Sequence, residues 1–595
     1  MDYDRIPSLP RLFFDQAQAL GDKPLTYQRR DGSWHSLSWR EISGQVRALA
    51  RGLVALGIQP GDRVALVAEN RPEWLVADLA IMSAGAITVP AFTTNTTEDH
   101  RHILTHSGAR GMISAGETIA KRLLPAALHA DIQFHIAIDP AEKPAQLPFR
   151  QIGWQEALAL SSDDAELDRR LAALTRRDTS CIIYTSGTGG VPKGVMLSHG
   201  SIMANIKGAY RLLLDVGLGH DRFLSFLPLS HSYEHTAGQF LPISIGAEIW
   251  YAESVEKLVD NMAEARPTIM TAVPRLYEAM HAKILRGLEK APKARQKLFW
   301  LAYRLGRKKY EKPAEMTLAD NFLNLVCEVL VRRKVRKRFG GHLKAFVSGG
   351  AALNYEIGVF FLALGVRLLQ GYGQTEASPV ISANMPSRIK IETVGPIFDG
   401  LEAKIAEDGE ILVRGEAVMN GYWRDPESTA KTVVGGWLHT GDIGEFDADG
   451  YLKITDRKKD IIVLSGGDNV SPARVEGFLA LQPEIAQAMV HGDKHPHLVA
   501  LVVPDADFAR DWAAANKASG EIADLADNAA FHKAMAAVID RVNTSLSPIE
   551  KIRRFALLGE GFTIENAMLT PSLKIRRHKI RERWGHVIGR LYDRG

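Results

Sequence analysis

The chain has 595 residues, 46% hydrophobic and 24% charged, an ordinary globular composition that is too long for one compact core and predicts two or more domains. Cys181 and Cys327 are its two cysteines, so a disulfide framework is not expected and a reducing, cytoplasmic setting fits. The formal charge of +4 conceals an asymmetry: residues 281–338 hold 17 Lys+Arg against 5 Asp+Glu, and the remainder holds 56 against 64.

The opening MDYDRIPSLP carries two acidic residues and no basic-then-apolar export pattern. Residues 63–67 read as a buried strand and 72–84 as a helix. The apolar stretch 79–92 is too short to span a bilayer and reads as core. A short strand at 181–184 runs into a glycine-rich turn. Strands at 343–347 and 366–370 enclose a helix at 353–364, and this alternation predicts a layered α/β domain with parallel pairing. After about residue 395 the pattern changes. Residues 401–405 and 410–414 flank Glu407-Asp408-Gly409, and 443–446 and 451–454 flank Asp447-Ala448-Asp449-Gly450. Both are hairpin signals, so a small antiparallel sheet or β-barrel is expected. A smaller α+β domain follows, with a helix near 473–481, strands near 485–491 and 498–503, and a basic C-terminal helix. The charged run Asp456-Arg457-Lys458-Lys459-Asp460 places the boundary, giving domains 1–456 and 457–595.

The most informative segment is Tyr184-Thr185-Ser186-Gly187-Thr188-Gly189-Gly190-Val191-Pro192-Lys193-Gly194, placed between an apolar strand and a helix-like stretch. Glycines let backbone N–H groups approach phosphate oxygens, three hydroxyls add donors, and Lys193 adds charge. Taken alone it is as readily a flexible polar turn. It lacks the pattern of a P-loop and the spaced glycines of a dinucleotide fingerprint.

The segment resembles the phosphate loop, YTSGTTGxPKGV, of the adenylate-forming superfamily, which includes acyl-CoA synthetases, luciferases and peptide-synthetase adenylation domains. The departure is Gly189, where the family has Thr. Other segments resemble the family's in the same order. The resemblance implies that Thr185, Ser186, Gly187, Thr188, Gly189, Gly190 and Lys193 hold the phosphates of ATP. It implies that Gly350 and Ala351, in Ser348–Ala352, stand beside adenine and the acyl carbonyl. In Gly371-Tyr372-Gly373-Gln374-Thr375-Glu376, Tyr372 would stack on adenine, Thr375 would bind the α-phosphate, and Glu376 with Thr185 would hold Mg²⁺. Asp442, in Thr440-Gly441-Asp442, would accept from the ribose hydroxyls, and Arg457 would contact the nucleotide. Lys459 would be the hinge pivot, Gly466 and Gly467 would line the thioester-forming site, and Lys574, in Leu569–Arg577, would be the adenylation lysine. Apart from the resemblance, Asp442 is a turn residue, Lys459 part of a solvated charge run, and Lys574 a lysine in a basic tail.

Within the superfamily the fatty-acid ligase branch fits best. Leu227–His235 sits where such ligases carry an acyl-channel segment, which implies acyl or coenzyme A contacts for His231, Tyr233 and Glu234; Val273–Glu278 resembles their VPRxYE. His231 and His235 are equally readable as ordinary hydrogen-bonded histidines. The implied reaction adenylates a fatty acid with ATP and Mg²⁺ and then forms the thioester with coenzyme A. No insert between Thr393 and Asp460 points to a fatty acyl-AMP ligase with a carrier-protein acceptor, the nearest rival; a non-catalytic fatty-acid-binding relative is the other. Leu285, Leu288, Leu298, Trp300, Leu301 and Tyr303 interleave with Lys and Arg in 281–338, so an amphipathic helix peripheral to the inner membrane face is expected there, with a solvated helical face as the plainer reading. No nucleic-acid module accompanies the charge. A homodimer is left open.

Overall fold

The computed structural model describes residues 2–139, 147–185, 191–518, 521–563, 566–570 and 575–593. Two eight-stranded sheets organise the first part. One runs Gly421–Tyr422, Lys193–Ser198, Thr179–Thr185, Ile87–Pro90, Arg63–Val67, Gly111–Ser114, Phe134–Ala137 and Arg150–Gly153. The other runs Val380–Ala383, Leu368–Gly373, Ala345–Ser348, Ile269–Ala272, Arg222–Ser225, Glu248–Tyr251, Pro24–Arg30 and Ser33–Ser38. Their centres are parallel, as the alternation predicts; the first sheet carries antiparallel strands at one end and the second at both.

Helix Pro72–Ser83 is buried at every position except Glu73, which is why it shows no polar stripe. It packs with Leu9–Leu20 and Trp39–Ala55 in a core that holds Phe13, Trp39, Trp74 and Phe240. Residues 401–457 form a five-stranded antiparallel sheet, Leu401–Ile405, Glu410–Gly415, Trp437–Phe446 and Val433–Val434, with Leu452–Arg457 also on Trp437–Phe446. No ladder among the described residues joins its outer strands, so of the two forms expected it is an open sheet and not a closed barrel. From Ile462 onward the chain builds cores of its own around the three-stranded sheet Ile485–His491, Leu498–Pro504 and Ile552–Leu557.

The basic segment 281–338 falls in helices Pro274–Glu289, Lys293–Glu311 and Leu318–Cys327, the last continuing through a π-helical turn, Glu328–Arg332, into Arg333–Arg338. Five of the residues expected on its outer face turn inward: Leu285, Leu288, Leu298, Leu301 and Tyr303 pack against the core around Tyr277, Phe299 and Phe360. Trp300 alone of that group is exposed. The period was right and the face was wrong, because the helix lies against the neighbouring Tyr355–Ala363 and offers its apolar side to it. Among the described residues no helix is long and apolar enough to cross a membrane.

Candidate active site

In open α/β sheets ligands bind beyond the carboxyl ends of the parallel strands. Three such ends meet here. Leu368–Gly373 runs into a single 3-10 turn, Thr375–Ala377; Ala345–Ser348 ends at Gly349 and Gly350; Arg222–Ser225 leads into 227–235. Gly373 has no room for a side chain, since an added Cβ would lie 1.9 Å from the Pro379 carbonyl oxygen. That close approach is what turns the strand and presents Tyr372, Thr375 and Glu376 side by side.

Tyr372 donates its hydroxyl to Asp442 Oδ2 at 2.7 Å. Arg457 Nε donates to Asp442 Oδ1 at 3.0 Å, its register partner across the Trp437–Phe446 and Leu452–Arg457 ladder. Burial first, then the Asp442 charge, holds the Tyr372 phenol well above its usual range, so it remains a donor. Asp442 is buried, yet a carboxylate has about four lone-pair sites, and two are left for further donors. Thr375 Oγ1 lies 2.9 Å from Ser232 Oγ, which ties the turn to the 227–235 segment.

The phosphate-loop segment departs from the sequence expectation. Strand Thr179–Thr185 is followed by a second strand, Lys193–Ser198, paired antiparallel to it with Thr185 opposite Lys193; the helix His199–Val216 begins only after that. The two strands are therefore the arms of a hairpin. Ser186, Gly187, Thr188, Gly189 and Gly190 lie outside the described residues. The flanks are held from the side by helix Thr97–Ser107: His102 Nε2 is 2.9 Å from the Pro192 carbonyl oxygen, and His106 Nδ1 is 2.8 Å from the Tyr184 hydroxyl. A carbonyl only accepts, so His102 carries its proton on Nε2.

Lys193 is engaged with a segment 235 positions away: its ammonium donates to Ser428 Oγ, lies 3.4 Å from Asp425 and sits 5.0 Å from the Tyr422 ring centroid. Tyr422 in turn donates to Glu376 Oε1 at 2.9 Å. Tyr422, Asp425 and Ser428 were not singled out from the sequence. Their signal is three-dimensional, since Gly421–Tyr422 pairs with Val195 and Met196 at the edge of the first sheet.

The 227–235 segment is mostly interior. His231 Nδ1 accepts from the Tyr233 backbone at 3.2 Å, and the Tyr233 hydroxyl donates to the Val347 carbonyl at 2.9 Å. Glu234 has no exposed surface and accepts from Ser225 Oγ at 2.6 Å and Thr271 Oγ1 at 2.5 Å. Burial lifts its carboxyl to about 7, against the pull of those two donors. Gly238 makes space for it, since a Cβ there would lie 2.3 Å from the carboxyl. His235 is a buried structural residue with Nε2 2.8 Å from Asp78 Oδ2, which also accepts from Gln239 Nε2 at 2.9 Å. Burial alone would lower this imidazole; the Asp78 charge and hydrogen bond outweigh it and lift His235 to about 10.

Further along the chain, Lys459 is exposed in the turn after Leu452–Arg457, and Gly466 and Gly467 lie in an exposed turn, Gly467 at φ +89. Lys574 lies outside the described residues, but its flanks are placed: Leu569 bridges Ile575, and Arg577 donates to both oxygens of Glu476 at 2.7 and 2.6 Å. Glu476 sits on helix Pro472–Ala480, whose Gly477 carbonyl accepts from Asn354 Nδ2 at 3.2 Å, beside the end of Ala345–Ser348.

Comparison with known proteins places the chain in a family. Residues 13–423 match the AMP-binding enzyme family and residues 459–595 match the AMP-binding enzyme C-terminal domain. A relative in Mycobacterium tuberculosis, long-chain-fatty-acid--CoA ligase FadD15, is 35% identical over 590 residues, covering 96% of this chain and 94% of its own. Long chain acyl-CoA synthetase 7, peroxisomal, of Arabidopsis thaliana is 30% identical, covering 95% and 83%. Among solved structures, the adenylation domain of a carboxylate reductase from Mycobacterium chelonae superposes with TM-score 0.77 at 22% identity, over 98% of this chain and 91% of that one. O-succinylbenzoate coenzyme A synthetase from Bacillus subtilis, in complex with AMP, gives 0.67 at 20%, over 97% and 98%. With a family model matching residues 13–423 and a relative 35% identical over 96% of its length, the chain belongs to the AMP-binding enzyme family.

Proposed function

We propose that this protein is a fatty acid–CoA ligase of the AMP-forming kind: it adenylates a long-chain fatty acid with release of pyrophosphate and then passes the acyl group to coenzyme A with release of AMP. Support comes from relatives of that name that match almost the whole chain. The observation that carries it is the line Tyr372–Asp442–Arg457 beside Thr375 and Glu376, which offers a ring for a base, a carboxylate for a ribose and a hydroxyl for a phosphate around the end of Leu368–Gly373.

A carboxylate attacking the α-phosphorus of ATP brings two anions together. At about 4 Å, unit charges repel by roughly 4 kcal/mol at an effective dielectric near 20. Lys574, on the small domain, is proposed to offset this in the adenylation step, with Thr185, Lys193 and the loop residues 186–190 holding the leaving phosphates. Glu376 and the Thr185 hydroxyl are hard oxygen donors suited to Mg²⁺. Among the described residues no group of three or more His, Cys, Asp or Glu could hold a metal ion alone, so the ion would take its other ligands from the triphosphate and water, which suits Mg²⁺. When bound it would supply charge neutralisation at the phosphates.

Lys574 and the Gly466–Gly467 turn both sit on residues 457–595. We assign Lys459 as the pivot about which that domain turns, bringing first the lysine and then the glycine turn to the adenylate. His231 and Tyr233 are assigned to the wall of the acyl site. Glu234, with no exposed surface, is assigned a place behind that wall.

The test is pyrophosphate release from ATP and Mg²⁺ with acids of two to eighteen carbons, with and without coenzyme A. Acid-dependent release that turns over only with coenzyme A, and best with long chains, is the expected result. Release without acyl-CoA product would indicate another acceptor, and no release with any acid would overturn the reading.

A further inference from the structure

The helical stretch 318–338 presents a face that nothing among the described residues covers. Leu318 is 91% exposed, Phe322 67% and Leu325 64%, and Val329 and Leu330 are exposed as well. The spacing 318, 322, 325, 329 puts these side chains on one stripe. The opposite side is pinned to the body of the protein. Cys327 and Val331 enter the core, and Arg332 donates to the carbonyls of Ala363 at 2.7 Å and Ala302 at 2.8 Å and to Asn324 Oδ1 at 2.7 Å. The stripe is thus held outward by a rigid backing.

The charges around it are one-sided. Of the five acidic residues in 281–338, four are neutralised inside the segment: Glu311 by Arg307 at 3.0 Å, Glu315 by Lys312 at 3.2 Å, Asp320 by Lys308 at 2.8 Å, and Glu328 by Arg336. Arg333, Lys334, Lys337 and Arg338 are exposed at the end of the stripe, and Arg333 and Lys334 follow Val329 and Leu330 by one helical turn. Trp300 adds an exposed indole from Lys293–Glu311, the helix packed alongside.

We propose that this face docks the protein on an anionic lipid bilayer, with Leu318, Phe322, Leu325 and Val329 entering the acyl boundary and Arg333, Lys334, Lys337 and Arg338 meeting the headgroup charge. An apolar wedge with a belt of cations is the composition that binds in the interfacial plane. Charge complementarity selects this occupant. A two-fold contact with a second copy would bring two strongly cationic segments face to face, and like charges across an interface are repulsive. A nucleic acid would answer the cations but leave the apolar stripe in water. The proposal rests on the fatty-acid reading only for its purpose, since a bilayer is where such a substrate is dissolved.

The experiment is co-sedimentation of the full chain with vesicles of phosphatidylcholine alone or with one quarter phosphatidylglycerol, in 0.1 and 0.5 M salt. It compares wild type, the double variant Phe322→Asp/Leu325→Asp and the double variant Arg333→Glu/Lys334→Glu. Pyrophosphate release with octanoate, without vesicles, is read on the same samples and reports folding of each variant. Wild type is expected to partition at least tenfold better onto the anionic vesicles and to be partly released by salt. Each double variant is expected to lose at least tenfold in partition while keeping its octanoate-dependent rate. Wild type that ignores anionic vesicles, or variants that bind them as well as wild type does, would overturn the proposal. So would wild-type self-association in sedimentation velocity that the Phe322→Asp/Leu325→Asp change abolishes, without vesicle binding. If no acid drives pyrophosphate release in any sample, the ligase reading fails while the vesicle comparison, with circular dichroism as the folding check, still decides the docking face.

Discussion

Tyr372 and Asp442 are joined by a 2.7 Å hydrogen bond that ties the end of a parallel-sheet strand to the small antiparallel sheet. Because Arg457 donates to the other oxygen of Asp442, the proposed nucleotide site draws on three residues from three separate strands. Hydrogen bonds to a charged acceptor contribute roughly 1.5–3 kcal/mol. Tyr372→Phe is therefore expected to raise the KM for ATP about tenfold in ATP–pyrophosphate exchange, with the fatty-acid KM unchanged. An unchanged KM for ATP would show that the ribose does not depend on this bond.

Lys574→Ala is expected to abolish adenylation and to spare thioester formation from supplied acyl-AMP, because the second step has no need of the lysine. A Lys459→Pro change, which removes the backbone freedom a pivot needs, is expected to do the reverse. The two half-reactions measured separately check both; equal loss of both steps in either variant contradicts the domain-turning scheme.

Glu234 links the interior to pH. Its carboxyl, ordinarily near 4.5, is raised to about 7 in the fold, so the folded protein keeps a proton that the unfolded chain gives up. Its contribution is full below the unfolded value and is lost as pH rises toward the folded one. The loss amounts to about 3 kcal/mol in total. Glu234→Gln has no such titration. Its stability relative to wild type is thus expected to improve from pH 5 to pH 8, read as urea midpoints at both pH values. A difference that stays flat would mean that Glu234 ionises normally.

His235 and Asp78 form a fully buried pair, with Gln239 as a second donor to the same oxygen. Removing one partner leaves an uncompensated charge in the core, and such changes cost about 3–5 kcal/mol. His235→Leu is expected to lower the unfolding midpoint accordingly. The double change His235→Leu/Asp78→Leu is expected to recover much of that loss, since no charge is then stranded. Additive losses in a double-mutant cycle would show that the two side chains are not coupled.

The family resemblance was legible because its motifs are local. The residues 371–376, 440–442 and 456–460 each contain their own chemistry, so chain order alone identified them. The hairpins at 401–414 and 443–454 were equally plain, because the turn residues and the alternating strands adjoin in the chain. Strand 193–198 was not, since six residues after a glycine-rich turn fit a helix start as well as an edge strand, and only pairing with Thr179–Thr185 decides between them.

What the sequence by itself determined is the set of reactive groups and the order in which the chain delivers them. Tertiary structure decided how they are partnered. It turned Lys193 toward Tyr422, Asp425 and Ser428, closed Glu234 among Ser225 and Thr271, and made His235 a core residue by placing Asp78 beside it. It also chose which apolar stripe of 281–338 faces water, packing Leu298 and Leu301 half-buried against the core and leaving Leu318 and Phe322 outside. A helical period fixes that a stripe exists. Which stripe is buried depends on what packs against it, and those partners lie in other parts of the chain.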